Sequence, residues 1–322
     1  MRFLALLLFL PLASSAQAPG QIPVIVDTDA GADDLIALLW LMRQPDIKIE
    51  AVTIGQGLAH PAEGAESVLR LLEAAGLTSI PVYIGMDRPV QGTGTFPAAW
   101  RAVTDRLLRD EFPAARRRPE KRGAAKFLAE RLMDVRRPVR VLALGPLTNL
   151  GQAIALEPRT GPGLQELIWM GGALDVPGNV LEVPTAEWNA WVDPEAAERV
   201  LGGGWRVRIV PLDATNRVPI GPAVLRLFEE EAREWAATVV LRLLRTETLA
   251  IHAGRYFAWD VLAAMTLTDR KLTTHRMAAL AVRKRPRQRG RLVQVHGARP
   301  NATIAVSADP QLFLRKFRTL LP

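Results

Sequence analysis

Pro23-Val24-Ile25-Val26-Asp27-Thr28-Asp29-Ala30-Gly31-Ala32-Asp33-Asp34-Leu35-Ile36-Ala37-Leu38 is the stretch from which the rest of the chain is best read. Val24 to Val26 is a short β-branched run of the kind that forms a buried strand, and Leu35, Leu38, Leu39 and Met42 recur at helical spacing. The four aspartates between them therefore fall on a strand-to-helix turn. In open α/β sheets that turn lies at the carboxyl end of a strand, where such folds bind ligands. Gly31 is expected to supply the positive φ of a sharp turn and to let a ligand approach the backbone closely. One or two acids here would be ordinary helix caps, favoured by the orphan N–H groups and the positive end of the dipole. Four within eight residues repel one another more than a helix end offsets. A hard cation resolves the conflict, and oxygen-only ligands favour calcium or magnesium over zinc.

Outward from this stretch the pattern repeats. Ile47–Ile54 reads as a second strand, followed by the loop Gly55-Gln56-Gly57-Leu58-Ala59-His60 and a helix from Pro61 to about Ala75. Val82–Ile84, Arg140–Leu144, Leu164–Met170 and Arg206–Leu212 read as further strands, with a helix opening near Thr148. A long connection, residues 86–119, carries a helix near Ala98–Leu108 and has the length of a lid, a binding loop or a partner contact. Its Gly92-Thr93-Gly94 has no adjoining strand and helix, so a phosphate-loop reading fails. Downstream, a helical region over 223–255 gives way to short strands at 277–282, 292–295 and 303–306. This alternation specifies an open, mostly parallel, doubly wound α/β sheet with helices on both faces, in one domain over residues 17–322.

The 322 residues suffice for a large core, and 23% charged residues is an ordinary globular composition. The net charge of +8 owes much to residues 116–122 and 283–289. Neither basic run is interleaved with stacking aromatics, so both read as solvated loops and no nucleic-acid partner is expected. Arg2, the apolar run Phe3–Leu12 and the small residues after it have the layout of a secretory signal peptide, with cleavage expected after Ala16. Export to a bacterial periplasm or beyond follows. No cysteine is present, which excludes disulfides and thiolate metal sites, and no later stretch is apolar enough for a membrane span.

Asp27, Asp29, Gly31, Asp33, Asp34, Ala37 and Leu38 match the signature of the nucleoside hydrolases, which cleave the N-glycosidic bond of ribonucleosides. Later blocks resemble the same family in order: Leu144-Gly145-Pro146-Leu147-Thr148-Asn149, then Met170-Gly171-Gly172 with Asn179, Glu187-Trp188-Asn189 and Asp193-Pro194-Glu195, then Trp259-Asp260-Val261-Leu262-Ala263-Ala264. The resemblance implies that Asp29, Asp34, Asp260 and the Leu144 carbonyl hold calcium and that Asp33 is the general base. It further implies that Asn179 and Glu187 hold the 5′-hydroxyl of the ribose and Asn189 its ring hydroxyls, so that ribose is preferred to 2′-deoxyribose. Family members commonly form homodimers or homotetramers.

Two departures stand out. Gln56-Gly57 occupies the place of a family Asn, and Trp259 replaces the His that can protonate the leaving base. Trp259 resembles instead the purine-preferring members, whose tryptophans stack on the base, which tilts the expected substrate toward purine nucleosides. His60 is a candidate substitute acid. Two other readings stand beside this one: a calcium-dependent nucleoside or sugar binder on the same scaffold, and a phosphatase of the haloacid-dehalogenase type. The second expects Thr or Val at position 31 and leaves Asn179, Glu187 and Asn189 unexplained.

Overall fold

The computed structural model describes residues 20–321; the leader read at residues 1–16 lies outside the described residues. Among the described residues there are ten strands: β1 Ile22–Thr28, β2 Ile47–Ile54, β3 Val82–Ile84, β4 Val139–Ala143, β5 Leu164–Met170, β6 Val207–Val210, β7 Thr273–Ala278, β8 Leu280–Val282, β9 Leu292–Gln294 and β10 Ala302–Ala308. Eight form one sheet in the order β3-β2-β1-β4-β5-β6-β10-β7, and β8 and β9 pair separately. Every pairing from β3 across to β10 is parallel, and the edge strand β7 is antiparallel to β10.

The sheet is covered on both faces, and β1 shows why its sequence is continuously apolar. Val24 and Val26 enter one core while Ile25, pointing the opposite way, enters another. The same alternation divides Leu142 from Val141, and Ile168 from Leu167. The first core takes in the helices Ala32–Met42, Pro61–Ala74, Trp235–Thr246 and Trp259–Met265; the second takes in Ala124–Arg131, Thr148–Leu156 and Pro194–Gly202. Among the described residues no helix is long and apolar enough to cross a membrane.

From β1 the chain winds outward one way through β2 and β3, then returns to β4 on the other side of β1 and winds the opposite way. The switch therefore falls between β1 and β4, and ligand crevices open at the carboxyl ends of such a strand pair. The register places Asp27 beside Ala143, so Asp29 and Leu144 both emerge at that point.

Two expectations need refinement. Residues 223–255 form three helices, Pro222–Glu231, Trp235–Thr246 and Thr248–His252, and the short strand expected at 277–282 is two strands, β7 and β8. The turn's positive φ belongs to Ala30, at 60°, not to Gly31, whose φ is −64°. Gly31 is required for space instead: a Cβ there would lie 2.8 Å from Leu58 Cδ1 and 2.9 Å from Asp34 Oδ2.

Candidate active site

The β1 turn and the helix Ala32–Met42 bring their carboxylates together by local hydrogen bonding. Asp34 lies in the first turn and its carboxylate accepts the N–H groups of Gly31 (3.1 Å) and Asp29 (3.3 Å) and the Thr28 hydroxyl. This is the capping role that a lone acid would play. Asp27 is set apart, its carboxylate held by Thr53 and by Asn149 Nδ2 at 2.8 Å, with burial pushing its pKa up to about 6. The loop after β2 wraps Asp29: Leu58 N donates to Asp29 Oδ2 at 2.9 Å, and a Cβ on Gly57 would fall 1.8 Å from that same oxygen. The Gln56-Gly57 pair thus makes room for Asp29, while Gln56 Nε2 approaches Thr148 Oγ1 at 3.4 Å.

Asp260 arrives from the far end of the sequence on the first turn of the helix Trp259–Met265. Its carboxylate and those of Asp33 and Asp34 present oxygens within 4.8 Å of one another, all three side chains being buried. Burial, and then the charge of Asp34, raise the pKa of Asp29 and of Asp33 well above the carboxylate range; burial and the charges of Asp33 and Asp34 do the same to Asp260. So many buried like charges, with a donor set made only of oxygen, fit a hard divalent cation. The Leu144 carbonyl at the end of β4 accepts Asn189 Nδ2 at 2.8 Å and retains a second lone pair.

The other expected residues take these places. Glu187 caps the helix Trp188–Val192, and its carboxylate accepts N–H groups from Gly172 (2.8 Å), Asn189 (2.9 Å) and Ala190 (3.2 Å). Burial pushes its pKa up to about 7. Asn189 Nδ2 also donates to the Met170 carbonyl at 3.1 Å, tying the ends of β4 and β5 together. Asn179 is exposed, and its Oδ1 accepts Trp188 N at 3.1 Å. His60 precedes the helix Pro61–Ala74, with Nδ1 2.8 Å from Asp105 Oδ2; it groups with Asp105 and Glu63 rather than with the aspartate cluster. Trp259 is half-buried and meets Tyr256 edge to face, with centroids 5.3 Å apart.

The sequence reading missed Tyr256, a buried phenol that feels the charges of Asp33, Glu247, Asp260 and Asp34, and Glu247, whose charge also acts on Asp33. The signal was the aromatic run Tyr256-Phe257-Ala258-Trp259 immediately before Asp260. It also left open what residues 86–119 do. Phe96 stacks on Trp188 (5.1 Å) and Trp100 meets the same ring edge-on (5.4 Å), in a small apolar cluster that Leu58 joins to the Asp29 loop.

The chain has relatives among known proteins. The chain is 27% identical to the pyrimidine-specific ribonucleoside hydrolase RihA of Klebsiella pneumoniae, over 91% of this chain and 96% of that one. It is 33% identical to a probable uridine nucleosidase 2 of Arabidopsis thaliana, over 61% of this chain and 60% of that one. Among solved structures, the purine-preferring ribonucleoside hydrolase of Gardnerella vaginalis superposes with a TM-score of 0.82 at 23% identity, covering 92% of this chain and 97% of that one. The inosine-uridine preferring nucleoside hydrolase of Bacillus anthracis gives 0.83 at 23% identity, over 93% and 99%. At such identities the structures speak for the shared α/β fold. The family profile described as inosine-uridine preferring nucleoside hydrolase matches residues 24–315, and the chain belongs to that family of N-glycosyl hydrolases.

Proposed function

We propose that this protein hydrolyses the N-glycosidic bond of ribonucleosides with calcium as its ion, favouring purine nucleosides, after export from the cytoplasm. The observation that carries the reading is the convergence of Asp33, Asp34 and Asp260 at the carboxyl edge of the sheet, with Asp29 packed beside Asp34. Asp29, Asp34, Asp260 and the Leu144 carbonyl would hold the ion. Bound there, calcium would supply the positive charge that orients the vicinal ribose hydroxyls and eases deprotonation of water.

Asp33 is the most exposed of the four clustered carboxylates, at 8% against 2–3% for the others. It is the group best placed to take a proton from a water in the cleft. As the C1′–N bond lengthens, positive charge develops on the sugar toward an oxocarbenium-like transition state, and the fixed carboxylates stabilise it without reorganising. Asn179, Glu187 and Asn189 would meet sugar hydroxyls, with Gln56 on the loop after β2 as a further sugar contact and His60, paired with Asp105, farther along the same loop. A site that pairs each hydroxyl discriminates against sugars lacking one. Trp259, an aromatic side chain next to Asp260, would border the base, and this supports the purine preference.

A panel of purine and pyrimidine ribonucleosides and their 2′-deoxy counterparts, assayed for free base and sugar with calcium and with a chelator, tests the proposal. Calcium-dependent release of base and ribose, faster from purine ribonucleosides, is expected. Tight binding without release would favour a binding protein, and phosphate release from phosphate esters would favour a phosphatase.

A further inference from the structure

Two hydrogen-bond donors beside the carboxylate cluster lack an acceptor among the described residues: the Tyr256 hydroxyl and the Trp259 indole Nε1–H. Both atoms are shielded from solvent, and Tyr256 as a whole is only 5% exposed. The rings hold each other edge to face at 5.3 Å, and Phe257 lies against Trp259 at 5.8 Å. The backbone is strapped down on both sides: Ile220 N donates to the Tyr256 carbonyl at 3.0 Å, and Ala258 N donates to the Val218 carbonyl at 3.1 Å.

A desolvated, unpaired donor is costly, so two on one short segment point to an acceptor that arrives with a ligand. The surroundings fix the protonation state of the tyrosine. Burial, and then the charges of Asp33, Glu247, Asp260 and Asp34, hold its pKa well above the ordinary phenol value, so the group donates and does not ionise.

We propose that Tyr256 is a catalytic residue for leaving-group departure, its hydroxyl donating a hydrogen bond to an acceptor nitrogen or oxygen of the nucleobase, with Trp259 Nε1–H as the second donor. The proposal rests on the nucleoside hydrolase reading given above. When the C1′–N bond breaks, both electrons go to the base, and its negative charge spreads over ring nitrogens and exocyclic oxygens. The two fixed donors stabilise that charge as an oxyanion hole would. Water oxygen bonds to C1′ and one water proton passes to Asp33. The departed base then takes a proton from solvent and Asp33 returns one, so nucleoside and water give ribose and neutral base. Tyr256 keeps its proton throughout. This arrangement supplies leaving-group stabilisation in a chain whose Trp259 stands where an imidazole would otherwise provide it.

The test compares a natural ribonucleoside, inosine, with 4-nitrophenyl β-ribofuranoside, whose phenolate departs without help, using the full calcium-loaded protein. Tyr256→Phe is expected to lower kcat on inosine roughly tenfold to a hundredfold while leaving the nitrophenyl riboside within about twofold. Equal losses on both substrates, or no loss on either, would overturn the proposal. If Tyr256→Phe fails to fold, Trp259→Phe, which keeps an aromatic ring but removes the N–H, is scored by the ratio of kcat on inosine to kcat on the nitrophenyl riboside; a fall of that ratio by about tenfold or more supports the proposal and an unchanged ratio refutes it. Wild-type protein inert toward both substrates would instead refute the underlying hydrolase reading.

Discussion

Asp27 keeps to the rear of the site, held by Thr53 and Asn149, whereas Asp29, Asp33 and Asp34 crowd with Asp260, so four acids in one motif divide between framework and chemistry. The proposed roles make separable expectations. If Asp33 is the base and not an ion ligand, Asp33→Asn should lower kcat by roughly a thousandfold or more while calcium still binds. Asp34→Asn and Asp260→Asn should instead weaken calcium binding, measured by titration calorimetry. If Asp33→Asn abolishes calcium binding and Asp29→Asn spares it, the roles of Asp29 and Asp33 are exchanged.

The raised pKa values carry a sign. Burial pushes Asp27 up to about 6 from the ordinary 3.8, and Glu187 up to about 7 from 4.5. A folded-state pKa above the unfolded one means that the native chain holds a proton that the unfolded chain releases. The resulting stability is fully present below the unfolded pKa and is lost as pH rises through the folded one, here through about 6 and about 7. For Asp27 alone this is on the order of 3 kcal/mol. The thermal midpoint of the metal-free protein should therefore fall between about pH 4 and pH 7, and calcium should raise it more at the upper pH. A metal-free midpoint flat over that range would contradict the burial of these carboxyls.

At the scale of the element, the helix Trp259–Met265 is fastened at both ends. Its first turn carries Asp260 into the cluster; beyond its last turn, Arg208 Nη1 donates to the Thr266 carbonyl at 2.9 Å and Arg140 Nη1 to the Leu267 carbonyl at 3.2 Å. Cations suit that end of a helix. Buried Arg208 is paired at 3.1 Å with Glu166, which Arg270 also reaches at 2.7 Å. Burial pulls the Arg208 pKa down to about 10, leaving it charged at neutral pH. Glu166→Ala would strand that charge and should cost about 3–5 kcal/mol of stability by chemical denaturation. Calcium affinity should fall with it, since the helix presents Asp260. Replacing Glu166 and Arg208 together by Met should recover much of the stability; failure to do so would show that Arg208 acts mainly through the Thr266 carbonyl.

Elements of this kind were readable in advance to the degree that their pattern is local. The β-branched run of β1 and the apolar stripe of Leu35, Leu38 and Leu39 announce a strand and a helix without reference to the rest of the chain. The placing of the turn's positive φ at Ala30 was not readable, because Asp34 satisfies the backbone donors around it and Gly31 is needed for clearance. Nor was the engagement of Asn189 with two strand-end carbonyls, which depends on β4 and β5 ending side by side.

At the scale of the whole molecule, the strand order puts β1 between β2 and β4, and this is what lets the loop after β2, the end of β4 and the β1 turn converge on Asp29. The doubly wound plan follows from alternating strand and helix signals. The arrival of Asp260 does not, because no local pattern says which helix abuts the turn; only its resemblance to a family segment pointed there. Tyr256 shows the limit most clearly: its importance lies in an unpaired hydroxyl, a property that exists only after folding.

The apolar cluster that fastens residues 86–119 to Trp188 also equips the protein with an optical gauge. Trp100, Trp188 and Trp191 couple ring to ring in the cluster that Leu58 joins to the Asp29 loop, and Trp259 stands next to Asp260, so four of the eight tryptophans lie on segments that adjoin an aspartate of the cluster. Nucleoside entry should change their emission with no label attached, and Trp100→Phe should diminish that signal while leaving the calcium-induced rise in thermal midpoint intact. Stopped-flow fluorescence could then time ligand arrival separately from bond cleavage.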